Sequence, residues 1–77
     1  MLDLFVLNTC PYCKKVMGFL ENEGIEYKKF DTADNDNALR LLSIGGKDQV
    51  PFLYNEETND KIYESDDIIE YLKQHQG

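Results

Sequence analysis

The apolar positions of the chain switch repeatedly between the period of a strand and that of a helix. Leu4, Phe5, Val6 and Leu7 form a short continuous apolar run, the pattern of a strand covered on both faces, and residues 2–7 are expected to be a central strand. Pro11 suits the first position of a helix, Val16, Met17 and Leu20 then recur at helical spacing, and Gly24 offers a stop, so Cys10 is expected to cap the first helix. Ile25 to Phe30 is mixed in polarity but rich in β-formers, which predicts a second strand. Asp34 to Asn37 supply N-cap candidates for a second helix, with an apolar face of Ala38, Leu39, Leu41, Leu42 and Ile44 and a terminus at Gly45-Gly46. Pro51 to Tyr54 and Lys61 to Tyr63 flank the polar stretch Asn55 to Asp60, as in a hairpin whose turn faces solvent. Ser65, followed by Asp66 and Asp67 and then by Ile68, Ile69, Tyr71 and Leu72, predicts a hydroxyl-capped third helix with acids in its first turn.

The resulting order β-α-β-α-β-β-α contains one parallel βαβ unit and a closing hairpin. It predicts an α/β fold in which a four-stranded mixed sheet is flanked by three helices. The 77 residues leave room for one domain, spanning residues 1–77, with no repeats, linkers or low-complexity segments.

Composition narrows the function classes. With 42% hydrophobic and 30% charged residues the chain is an ordinary globule and not a disordered one. No apolar run approaches the roughly 20 residues a membrane helix needs, and Met1 to Leu7 contains an acid and lacks a basic start, so neither a membrane partner nor a signal peptide is expected. The expected location is cytoplasmic and the expected state a monomer. Eight basic residues against 15 acidic ones give a net charge of -7, which repels a phosphate backbone and argues against a nucleic-acid partner.

The candidate chemistry lies in Cys10-Pro11-Tyr12-Cys13. A disulfide across so short a loop constrains the unfolded chain little, so the pair points to reactivity. A free cysteine with a pKa of about 8.5 is only about 3% thiolate at pH 7, yet the thiolate is the attacking species in disulfide exchange. At the start of a helix Cys10 meets unpaired backbone N–H groups and the positive end of the dipole. Cys13, three positions on, falls on the same face and farther from solvent. Cys10 is therefore expected to be the nucleophile and Cys13 the resolving thiol of a redox-active disulfide. The competing readings are two inert core cysteines, or half of a zinc site completed through His75.

Thr9-Cys10-Pro11-Tyr12-Cys13, then Gln49-Val50-Pro51, then Glu64-Ser65-Asp66-Asp67, in this order and spacing over essentially the whole chain, resemble the glutaredoxin family. Val50-Pro51-Phe52-Leu53, Glu64-Ser65 and Ile68-Ile69-Glu70-Tyr71-Leu72 are also similar to the N-terminal domain of glutathione transferases and of transferase-like glutaredoxins. The resemblance implies a thioredoxin-like fold and a glutathione-dependent thiol–disulfide oxidoreductase that reduces protein disulfides and glutathionylated proteins. Glutathione is then a co-substrate, and no tightly bound cofactor and no metal is implied. It further implies that Pro51 is cis and faces the cysteines, leaving the Val50 backbone to pair with the cysteinyl part of glutathione, within the Gln49-Val50-Pro51 motif. Glu64, Ser65 and Asp66 would meet the ammonium and carboxylate of the γ-glutamyl group, Lys47 the glycyl carboxylate, and Tyr12 would lie against the same ligand.

On the residues alone Pro51 could merely begin an edge strand, Glu64, Ser65 and Asp66 could simply cap a helix, and Lys47 could be a solvated surface lysine. Two positions depart from the glutaredoxin pattern. Tyr63-Glu64 stands where many members have a glycine pair, and Asn8 stands where many have a lysine. The expected absence of a helical second domain removes the electrophile site of a transferase, so conjugation is not the expected activity. The rival readings are a thioredoxin-like reductant recharged by a flavoprotein, and a non-catalytic module that binds glutathione or an iron–sulfur cluster.

Overall fold

The structure is a computed structural model that describes residues 1–76. Its elements run β1 (Leu2–Val6), α1 (Pro11–Asn22), β2 (Tyr27–Asp31), α2 (Asn35–Gly45), β3 (Phe52–Asn55), β4 (Asp60–Tyr63) and α3 (Ser65–Gln76). The strands form one mixed sheet in the order β2-β1-β3-β4. β1 pairs in parallel with β2 and antiparallel with β3, and β3 pairs antiparallel with β4.

Central placement explains the apolar run of β1: all five of its residues are buried. Side chains alternate across a strand. Leu2, Leu4 and Val6 thus join Leu53 in a core closed by Cys13, Val16 and Leu20 of α1 and by Ile68 and Leu72 of α3. Phe5 points the other way, packing with Phe52 and Leu41 of α2. α1 and α3 pack together on one face of the sheet, and α2 covers the other.

Three expectations are corrected by detail. The first strand ends at Val6, and Leu7 is partly exposed in the loop, where its carbonyl accepts the Cys10 N–H at 3.1 Å. The second strand begins at Tyr27 instead of Ile25, because Gly24 (φ 68°) turns the chain and the Ile25 N–H closes back on the Leu20 carbonyl. On α2 only Leu41 is buried, flanked by the half-buried Ala38 and Ile44, while Leu39 and Leu42 are exposed. At 100° per residue, positions 38 and 44 lie about 60° to either side of Leu41, whereas positions 39 and 42 lie about 160° and 100° from it.

Helix ends follow local chemistry. Asp34 caps α2, its side chain accepting the Asp36 N–H at 2.9 Å, and Gly46 closes it in the left-handed region at φ 83°. That conformation favours a residue without Cβ. Ser65, expected as the cap of α3, is instead the first residue of that helix. Glu64 occupies the position before it, at φ 71°, and its carbonyl accepts the Ile68 N–H. No helix among the described residues is long and apolar enough to cross a membrane.

Candidate functional site

The parallel β1 strand delivers the chain to the start of α1, and Cys10 takes the N-cap position there. Its backbone is extended (φ -85°, ψ 117°), its carbonyl accepts the Lys14 N–H, and its Sγ accepts the Cys13 N–H at 3.4 Å. Pro11 fits because the first helical residue has no intrahelical use for an N–H. A sulfur therefore replaces the usual side-chain oxygen of an N-cap, facing the orphan donors of the first turn.

The two thiols are separated electrostatically by this geometry. Partial burial raises the pKa of Cys10, but hydrogen bonds from the Cys13 N–H, the Cys13 thiol and the Tyr12 N–H together outweigh it, and the net shift is downward. Burial pushes Cys13 up to about 11, reinforced by its hydrogen bond to Cys10 and by the Cys10 charge. Cys13 is fully buried in the core, whereas Cys10 is partly accessible. Both sulfurs are free thiols, so the arrangement is that of a reduced pair with one ionisable, reachable member and one held protonated.

Next to this pair lies a cleft of about 310 Å³ lined by Tyr12, Val50, Pro51, Glu64, Ser65 and Asp66. Residues from three distant segments thus meet in one place. The Val50–Pro51 peptide is cis, as the resemblance implies. Pro51 and Ser65 are buried in the cleft wall, while Tyr12 is largely exposed at its rim. The rim acids are already engaged. Gln49 Nε2 donates to Glu64 Oε1 at 2.7 Å, and Lys15 Nζ donates to Asp66 Oδ1 at 2.7 Å. The hydrogen bond and charge of Lys15 hold the Asp66 carboxyl below its ordinary value.

A family model of the glutathione S-transferase N-terminal domain matches residues 4–77. The chain belongs to that family. Among curated protein sequences none matches this glutathione S-transferase N-terminal domain significantly. Among solved structures it is similar to the thioredoxin-like protein BC3987, at 24% identity and a TM-score of 0.81 over 96% of this chain and 97% of that one. The glutaredoxin of Archaeoglobus fulgidus superposes at 23% identity and a TM-score of 0.78, over 95% and 82% of the two chains. Glutaredoxin 2 of Salmonella typhimurium, solved in complex with glutathione, gives 23% identity and a TM-score of 0.82 across this whole chain but only 34% of its own. The sheet order and three helices are thus those of the thioredoxin-like fold shared by glutaredoxins and transferase N-terminal domains.

Within this transferase-type domain the sequence-derived candidates divide. Cys10, Cys13, Tyr12, Val50, Pro51, Glu64, Ser65 and Asp66 gather at the cleft and its thiol pair, and Gln49 joins them through Glu64. Lys47 does not line the cleft. Its backbone N–H donates to the Tyr63 hydroxyl, which donates in turn to the Lys47 carbonyl, and its ammonium sits 5.2 Å from the centre of the Tyr63 ring. Asn8, the other departure, donates to Asp31 at 3.3 Å on the surface. Sequence reading overlooked Lys15, whose only signal is a basic residue in the second turn behind the cysteine pair. A larger cleft of about 470 Å³, lined by residues such as Met1, Glu23, Glu26 and Glu57, lies at the opposite end of β1 from the thiols.

Proposed function

We propose that the protein catalyses glutathione-dependent thiol–disulfide exchange, with Cys10 as nucleophile and Cys13 as resolving thiol. The observation that carries this reading is the Cys10 sulfur at the α1 N-cap, lowered in pKa by hydrogen bonds that include one from a buried partner thiol. Cys10 thiolate attacks the glutathione sulfur of a protein–glutathione disulfide, forming a Cys10–glutathione disulfide and releasing the protein thiolate, which takes up a proton. A second glutathione thiolate then attacks the bound glutathione sulfur, releasing glutathione disulfide and regenerating Cys10 thiolate. With a protein disulfide, Cys10 forms a mixed disulfide with one substrate sulfur. Cys13, after losing its proton, attacks the Cys10 sulfur and frees the substrate thiolate, leaving a Cys10–Cys13 disulfide for glutathione to reduce.

The cleft supplies complementary chemistry for the tripeptide. The Val50 backbone beside Pro51 offers pairing to the cysteinyl unit, and Tyr12 supplies an aromatic wall. Ser65, the α3 N-terminus, Glu64 and Asp66 offer donors and acids to a group that carries both charges. Lys47 has a place in this scheme only if it leaves the Tyr63 ring. Its engagement with that ring, away from the cleft, favours a second reading, a thioredoxin-like reductant recharged by a flavoprotein.

One experiment separates the two. Reduction of a small glutathione mixed disulfide is coupled to NADPH through glutathione reductase or through thioredoxin reductase. Turnover that needs glutathione and Cys10 is the expected result, with Cys13→Ser retaining deglutathionylation but losing reduction of protein disulfides. Turnover with the flavoprotein alone, or equal loss of both activities in Cys13→Ser, overturns the proposal.

A further inference from the structure

The two acids on the cleft rim are held by partners of different charge. Glu64 accepts from the neutral amide of Gln49, so its negative charge stays uncompensated. Asp66 faces the Lys15 ammonium at 2.7 Å, a bond that links α1 to α3 beside the cleft entrance. Asp66 lines the cleft and Lys15 does not, so the cation approaches this carboxylate from outside the volume a ligand would fill. Lys15 is not among the groups that shift Cys10, which act through the Cys13 and Tyr12 hydrogen bonds and burial.

We propose that Lys15 is an internal competitor of the ligand's ammonium group at Asp66, setting the cleft's selectivity between γ-glutamyl ligands with a free ammonium and those without one. This rests on the reading of the cleft as a glutathione site. An incoming ammonium must displace Lys15 from Oδ1 or share a carboxylate that is already neutralised. A ligand lacking the ammonium meets no such competition and gains nothing from an open Asp66. The pair is solvent-exposed on both sides, so the effect is limited to that of a surface ion pair, about two- to fivefold in affinity.

The test is an NMR titration of the reduced protein with S-methylglutathione, whose thioether cannot exchange, and with its N-acetylated form, at low ionic strength. Lys15→Gln is expected to tighten S-methylglutathione two- to fivefold and to leave the N-acetylated ligand unchanged. Lys15→Arg, which keeps the charge, is expected to restore wild-type selectivity. Weakening of both ligands by Lys15→Gln would make Lys15 an anion-holding group and overturn the inference, as would equal tightening of both or no change in either. If neither ligand binds wild type or variant, the glutathione reading itself fails and the inference falls with it, a result distinct from binding that is insensitive to Lys15.

Discussion

Asp3 is an acid in the middle of the central strand with no exposed surface, on the sheet face covered by α2. Neither carboxyl oxygen has a hydrogen-bond partner in good geometry, and the Arg40 guanidinium stands off at 3.6 Å. Burial, reinforced by the adjacent Glu56 carboxyl, raises its pKa from 3.8 to about 6, with Arg40 and Lys28 pulling the other way. The folded state therefore binds this proton more tightly than the unfolded chain. Its contribution is fully present below pH 3.8 and is lost as pH rises to about 6. At about 1.4 kcal/mol per tenfold change in proton affinity, the loss is at most about 3 kcal/mol, large against a total stability of about 5–15 kcal/mol. Glu56, lowered by its contact with Asp3, titrates in the opposite sense and trims that figure in the wild type. The clean comparison is with Asp3→Asn, measured by urea unfolding of the reduced proteins at pH 4 and pH 7.5 at fixed ionic strength. Any pH-independent cost of burying an amide cancels between the two conditions. Relative to the wild type, Asp3→Asn should gain about 1–3 kcal/mol on going from pH 4 to pH 7.5. An unchanged difference between the two proteins at both pH values, or a gain at pH 4, would refute the reasoning.

The remaining predictions concern the thiols and the glycines. Alkylation of Cys10 by iodoacetamide should follow a titration with its midpoint below the ordinary cysteine value, and Cys13→Ala should move that midpoint upward by removing the thiol donor, with unchanged pH dependence counting against the assignment. A Cβ at Gly45 would run into the Tyr63 hydroxyl and the Phe52 ring, so Gly45→Ala should destabilise the protein by about 1–3 kcal/mol in denaturant titration. Gly18 lies in α1 with nothing within 4 Å of a built Cβ, so Gly18→Ala should stabilise by about 0.5–1 kcal/mol. The same substitution is thus expected to have opposite signs at two positions that look alike in the sequence.

What could be read in advance and what could not follows from which interactions are local. The start of α1 depends on Cys10, Pro11 and the residues just behind them, and every element type emerged in its correct order. Gly45 and Gly46 read as one helix stop, yet only Gly46 adopts a positive φ, and Gly45 is needed for the approach of Tyr63. That contact spans 18 positions and leaves no local trace. Leu39 and Leu42 belong to the apolar face by hydrophobicity alone, whereas their angle around the helix turns them to solvent. The burial of Asp3 has no local signal, since only the finished sheet and the α2 layer seal it from water. At the site, the thiol pair was evident from spacing, whereas the Lys15–Asp66 pair joins residues 51 positions apart and required the packing of α1 on α3.

The sheet order leaves β2 and β4 as open borders of five and four residues. Unpaired amides along such borders are templates for a neighbouring molecule's strand, and both borders carry protection. Lys28 and Lys29 project into solvent from β2 and Lys61 from β4, so two molecules approaching border to border would bring like charges together on strands too short to repay the contact. In a chain whose overall charge is -7, cations placed there oppose the addition of one sheet to another, as the acids elsewhere oppose close approach of the molecules as a whole.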